Sequence, residues 1–204
     1  MMGQQQPMSV NEQIIRPLVG FASTVALFLV PMITMRLFAE EKRTGTIELL
    51  LTSPVNDMEI ILGKWLGAML LYLCVLGMSM LNFAMLFLWG KPDLKPVLIA
   101  YLGLILQGGV LLAVGEFIST TTRNQIIAGG VTFFVCLLLW LLSWFTAFDS
   151  GATASVVSYL SIVTHFENFG KGVLDLKDCV FYISMIFFAL FITGRSLESL
   201  RWRA

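Results

Sequence analysis

Charge is what this chain has least of. Only 13% of its 204 residues are Asp, Glu, Lys or Arg, against about 25% in ordinary soluble domains. Acidic and basic residues number 13 each, so there is no cationic excess of the kind that holds nucleic acid. Histidine occurs once, at His165, too few for a His-based metal site, which needs three or four ligands. The three cysteines, Cys74, Cys136 and Cys179, sit in or beside apolar runs without paired spacing, and are read as small packing residues rather than disulfide or metal partners. The sequence also lacks a GxxxxGK[ST] phosphate loop, an HExxH pair and a GxSxG elbow. It offers no catalytic residue, and no ATP, peptide or ester hydrolysis is expected of this polypeptide alone.

What is present is apolar length. Hydrophobic residues make up 57% of the chain, with a mean hydropathy of +0.85. Five runs are long enough, at about 17–25 residues, to cross a bilayer as helices. They cover about 17–37, 65–89, 97–117, 126–148 and 179–197. The fold class is therefore an all-α integral membrane protein, a helical bundle with five predicted transmembrane helices in one domain. The fifth run is the shortest and is expected to rely on Lys177 and Arg195 reaching back to the interface. Basic residues divide eight to five in favour of the side holding the 38–64 loop and the C-terminus, which places that side in the cytoplasm and the tail 1–16 outside.

Charge is concentrated between the first two runs, in RLFAEEKRTGTIELLLTSPVNDMEIILGK (36–64). Ile47, Leu50 and Leu51 share one helical face, while Glu48 and the EEKR run at 40–43 supply polar surface. Pro54 ends this helix, and Asn56 with Glu59 forms a capping box for the next one, which continues through Gly63 into the second span. A mixed-sign helix at the membrane surface suits the docking of a soluble partner, and it equally suits a plain interfacial helix. The 149–178 loop carries a second amphipathic stripe at Val156, Tyr159, Leu160, Val163 and Phe166, expected to rest on or dip into the outer leaflet.

MRLFAEEKRTGTIELLLTSPV followed by LGKWLGA resembles the permease subunits of type-2 ABC exporters. So do YLGLIL, TRNQIIAG, LLLWLLSW, HFENFGKGVLDLKDCVFYIS and RSLESLRW, a coverage that extends from Pro31 to Trp202. The pattern is most similar to the gliding-motility-type branch. The resemblance implies a multi-pass permease of a bacterial inner membrane, dimerising with a second permease subunit, accompanied by an accessory subunit and driven by a separate cytoplasmic ATPase that brings the ATP and Mg. It makes Glu40, Glu41, Lys42, Arg43, Thr44, Gly45, Thr46 and Glu48 the coupling helix that meets the ATPase. It also implies six spans, so the first is expected to be missing here. A secondary transporter or an intramembrane enzyme stands as the alternative.

Polar residues inside the apolar runs remain. Asn82 and Gln107 are candidate pathway-lining residues, although an interhelical hydrogen bond is the plainer reading of Gln107. Glu116 is expected to pair with Arg123 or reach the interface. Gly63 with Gly67, and Gly108 with Gly109, are expected to mark close helix packing within the subunit. His165 is expected to be a structural residue at the interface, with Glu167 nearby.

Overall fold

A computed structural model describes residues 15–52, 54–90, 94–145 and 159–201, with backbone alone at 51, 82–90 and 145. Among these residues the elements are all helical: α1 (Arg16–Thr34), α2 (Ala39–Thr44), α3 (Thr46–Thr52), α4 (Asp57–Gly90), α5 (Leu94–Thr121), α6 (Gln125–Phe145), α7 (Ile162–Gly170) and α8 (Leu176–Arg201). Five of them, α1, α4, α5, α6 and α8, are long and apolar enough to cross a membrane. The 1–14 tail, all of 146–158 including Val156, and the side chains of Leu51 and Asn82 lie outside the described residues.

The bundle is built around α5, which packs against α1, α4, α6, α7 and α8. Of its most apolar stretch 67% is buried, whereas the other four spans bury 17–39%. Glycine makes this central place available. A Cβ on Gly108 would lie 2.1 Å from the Tyr72 ring, one on Gly115 would lie 2.4 Å from Thr34, and one on Gly103 would lie 2.5 Å from Phe169. Helices α4, α1 and α7 thus approach α5 where it has no side chain. Gly63 and Gly67 behave otherwise: both are exposed, with nothing near the position of a Cβ. The expectation that this pair packs within the subunit is corrected, because it lies on the outward face of α4.

The outer surface of the spans is apolar. Phe21, Phe28 and Met32 on α1, Leu70 and Met78 on α4, Ile126 and Phe134 on α6, and Phe187 and Phe188 on α8 are all exposed. In water such a surface would drive aggregation; against hydrocarbon it needs no cover. The fifth span is not the shortest. Helix α8 runs 26 residues, continuing past Gly194 to Arg201 and starting before Cys179 with Lys177 and Asp178 in its first turn.

Asp178 can occupy that position because it is held. It is buried, accepts from Asn168 Nδ2 at 2.8 Å, and lies 2.6 Å from His165 Nδ1. His165 Nε2 meets the Tyr159 carbonyl at 2.9 Å, and the ring stacks on Phe181 at 3.9 Å. His165 is therefore a structural residue, a buried clamp between α7 and α8, and Glu167 pairs with Lys171 at 3.5 Å.

Candidate functional site

Two features of the sequence, a charged loop and a left-handed glycine, create the site at one end of the bundle. Gly45 adopts φ +79°, a conformation that residues with a Cβ disfavour. It splits the expected single amphipathic helix into α2 and α3. The hydroxyls of Thr44 and Thr46 meet at 3.0 Å across the turn, and Thr44 also donates to the Glu40 carbonyl. Helix α3 ends at Thr52, two residues before Pro54. The Glu59 carboxylate then accepts from the Asn56 N–H at 3.2 Å at the start of α4.

Helix α2 is fastened to the spans by its own orphan backbone groups and its charges. The first N–H groups of a helix lack intrahelical acceptors, and here Ser119 Oγ of α5 accepts from Phe38 N at 3.0 Å and Ala39 N at 3.1 Å. Lys42 Nζ donates to the Thr120 carbonyl, one of the last carbonyls of α5. Lys64 of α4 reaches back, donating to the Leu37 carbonyl at 2.7 Å and to Glu41 Oε1 at 2.5 Å, while lying 4.9 Å from the centre of the Phe38 ring. Phe38 and Ala39 are fully buried.

The eight residues singled out in this loop therefore divide. Glu41 and Lys42 turn inward and hold α2 to α4 and α5; Glu40 is half-buried; Arg43, Thr44, Gly45, Thr46 and Glu48 are exposed. The structure adds a residue that the sequence reading did not single out. Leu49, 77% exposed, stands on α3 beside Glu48 and Thr52, while Ile47 and Leu50 pack inward against the cluster of Phe38, Ile61 and Leu197. The helical spacing of 47 and 50 gave the inward face, and Leu49, falling off that stripe, could have been recognised as an apolar residue left outside.

Gln107 and Glu116 are brought into the protein, not to the surface. Gln107 is 1% exposed, its Oε1 accepting from Ser23 of α1 at 2.9 Å, so in this conformation it joins two spans. Glu116 is fully buried, and neither carboxylate oxygen has a hydrogen-bond partner among the described residues. The expected pairing with Arg123 is corrected: Arg123 is exposed beyond the end of α5, and Glu116 has no hydrogen bond to it. A lateral groove between α1 and α4, lined by Phe21, Val25, Leu29, Tyr72, Leu76 and Ser79, is almost wholly apolar and offers no chemistry beyond contact.

Five spans apolar enough to cross a membrane and a helical hairpin fastened at one end of them are what the described residues show. A family described as "ABC-2 family transporter protein" matches residues 2–194. The chain belongs to the ABC-2 transporter family. No curated protein and no solved structure gives a significant match. As an ABC-2 permease it is a multi-pass membrane transport component.

Proposed function

We propose that this chain is the membrane-spanning half of an ABC exporter and that α2–α3 is the coupling element on which a cytoplasmic ATPase docks. The observation that carries the reading is the division of labour in the hairpin. Helix α2 is tied to α4 and α5 through Ser119, Lys42 and Lys64, whereas α3 presents Glu48, Leu49 and Thr52 outward. A force applied to α3 has a direct path into two spans. Exposed charge around a central Leu is the anatomy of a small docking patch, in which the apolar residue supplies affinity and the charges supply register.

On this reading the hairpin and the C-terminus face the cytoplasm of a bacterial inner membrane, and a second permease subunit completes the pathway. ATP and Mg enter through the ATPase, whose closure favours one arrangement of the spans by binding it better than the other. The resemblance to the gliding-motility-type branch extends the reading to export in motility or secretion, with an accessory subunit.

The test is purification of the tagged protein from its native membrane, with Leu49→Arg beside it. An ATP-binding-cassette ATPase retained by the native protein and lost at least tenfold in Leu49→Arg, with unchanged membrane insertion, is the expected result. Equal retention in both removes α3 as the docking element.

A further inference from the structure

At the end of the bundle opposite the hairpin, the chain's single histidine faces two oxygen atoms at once. Nδ1 of His165 lies 2.6 Å from Asp178 Oδ1, and Nε2 lies 2.9 Å from the Tyr159 carbonyl oxygen. A carbonyl oxygen only accepts, so Nε2 carries a hydrogen. A neutral imidazole has one N–H, and with that hydrogen directed to Tyr159 a bare Nδ1 would be left against a carboxylate oxygen. Two acceptors that close repel unless a hydrogen lies between them, so a second proton belongs to the pair. The other Asp178 oxygen accepts from Asn168 Nδ2 at 2.8 Å, a neutral donor, and His165 is the sole ion-pair partner of Asp178 among the described residues. Without the second proton Asp178, only 5% exposed, would be a buried charge with no cation beside it.

We infer that the His165–Asp178 pair is a proton-binding site: the ring carries a hydrogen on both nitrogens, Asp178 is ionised, and the bound proton fastens α7 to the start of α8. The proton sits on the ring because imidazole is a stronger base than a carboxylate, and the Asn168 amide already donates to the carboxylate. The Phe181 ring, stacked on the imidazole at 3.9 Å, offers the aromatic face that suits a cation. Around them, Tyr182 of α8 stands edge-on at 6.4 Å and the Tyr159 ring edge-on at 5.5 Å. The nearby charges are engaged elsewhere: Glu167 pairs with Lys171, and Asp175 accepts from the Lys177 backbone N–H. From α5 and α6, which also pack on α7, no hydrogen bond, ion pair or ring contact reaches His165 among the described residues. The unfolded chain lacks these partners and gives up the proton within the ordinary histidine range. Where the folded state binds more protons than the unfolded one, stability falls as pH rises. The clamp is therefore complete in acid and loses its contribution as the medium turns alkaline, whether or not an ATPase docks at α3.

The experiment places an isotope label on the ring nitrogens of the one histidine and records their NMR signals in the purified protein at neutral pH, where N–H and bare nitrogen are well separated. Two protonated nitrogens are expected in the native protein, and one bare nitrogen would overturn the assignment. In Asp178→Asn, whose amide is able to donate to a bare Nδ1, one ring nitrogen is expected to lose its hydrogen. Two protonated nitrogens in that variant would remove Asp178 as the group that holds the proton. The consequence for the fold is read from the thermal-unfolding midpoint. Between about pH 5 and about pH 8, the native midpoint is expected to fall by about 2–4 °C more than that of His165→Gln, which has no titrating group in its place. Parallel curves for the two proteins would overturn the role of the proton in fastening α7 to α8. The native spectrum needs no variant, so the proton count is decided even if a substitution prevents folding.

Discussion

At the scale of single residues, environment decides the meaning of each side chain more than its type does. Four glycines show this. Gly108 is filled against by Tyr72, whose hydroxyl donates to the Leu104 carbonyl at 3.2 Å, and Gly109 lies against Ile186 and Trp65. Gly63 and Gly67, with the GxxxG spacing that suggests packing, face outward with space around them. The motif alone could not distinguish the two pairs, because spacing reports a shared helix face and not what lies opposite. Gly108→Val is expected to destabilise by about 1–3 kcal/mol or more through overpacking, visible as loss of monodisperse protein in detergent. Gly63→Val is expected to change stability by no more than about 0.5 kcal/mol. Equal effects of the two substitutions would refute the packing assigned to α4 and α5.

The same holds for the polar residues. Glu41 and Lys42 resemble their neighbours Glu40 and Arg43 in sequence, yet they are turned inward to Lys64 and the Thr120 carbonyl. Those partners lie 23 and 78 residues away. No local pattern contains that information. Asp178 reads as a charge at the edge of a span, and only its meeting with His165 and Asn168 explains why it can be buried in the first turn of α8.

At the scale of elements, the apolar spans were legible because hydrophobic length has one physical meaning in a bilayer. Boundaries were less so. The start of α4 at Asp57 was legible from the Asn56–Glu59 capping box, whereas α8 extends past its apolar run with charges at both ends. A helix continues as long as its backbone bonds and neighbours allow, irrespective of where hydrocarbon begins. The break at Gly45 was also invisible to apolar periodicity, since φ is a backbone property; only the glycine itself hinted at it. That break lets α2 lie against the spans while α3 turns outward. Gly45→Pro cannot adopt a positive φ and is expected to rebuild the turn, so that the protein still inserts but retains at least tenfold less ATPase on purification. Retention at the native level would mean that the angle between α2 and α3 carries no weight in docking.

At the scale of the whole molecule, the arrangement is a hub with lipid-facing walls. Helix α5 is central because it is lined with small residues, and the surrounding spans present Phe, Leu and Met outward. Both charged clusters lie at the ends of this bundle: the His165–Asp178 clamp fixes α7 to α8 at one end, and the Lys64, Glu41 and Ser119 joint fixes the hairpin at the other. The first is satisfied throughout. At the second, Glu41 Oε2 and both oxygens of Glu116 lack hydrogen-bond partners among the described residues, and Leu49 is exposed, which is why partner contact is proposed there.

The most direct measurement places a photo-crosslinking amino acid at Leu49, and for comparison at Leu70, which is 64% exposed on the apolar wall of α4. After irradiation in native membranes, the adducts are identified by mass spectrometry. The account predicts an ATP-binding-cassette ATPase attached at position 49 and none at position 70. Adducts at position 49 consisting only of lipid or of this chain would contradict it.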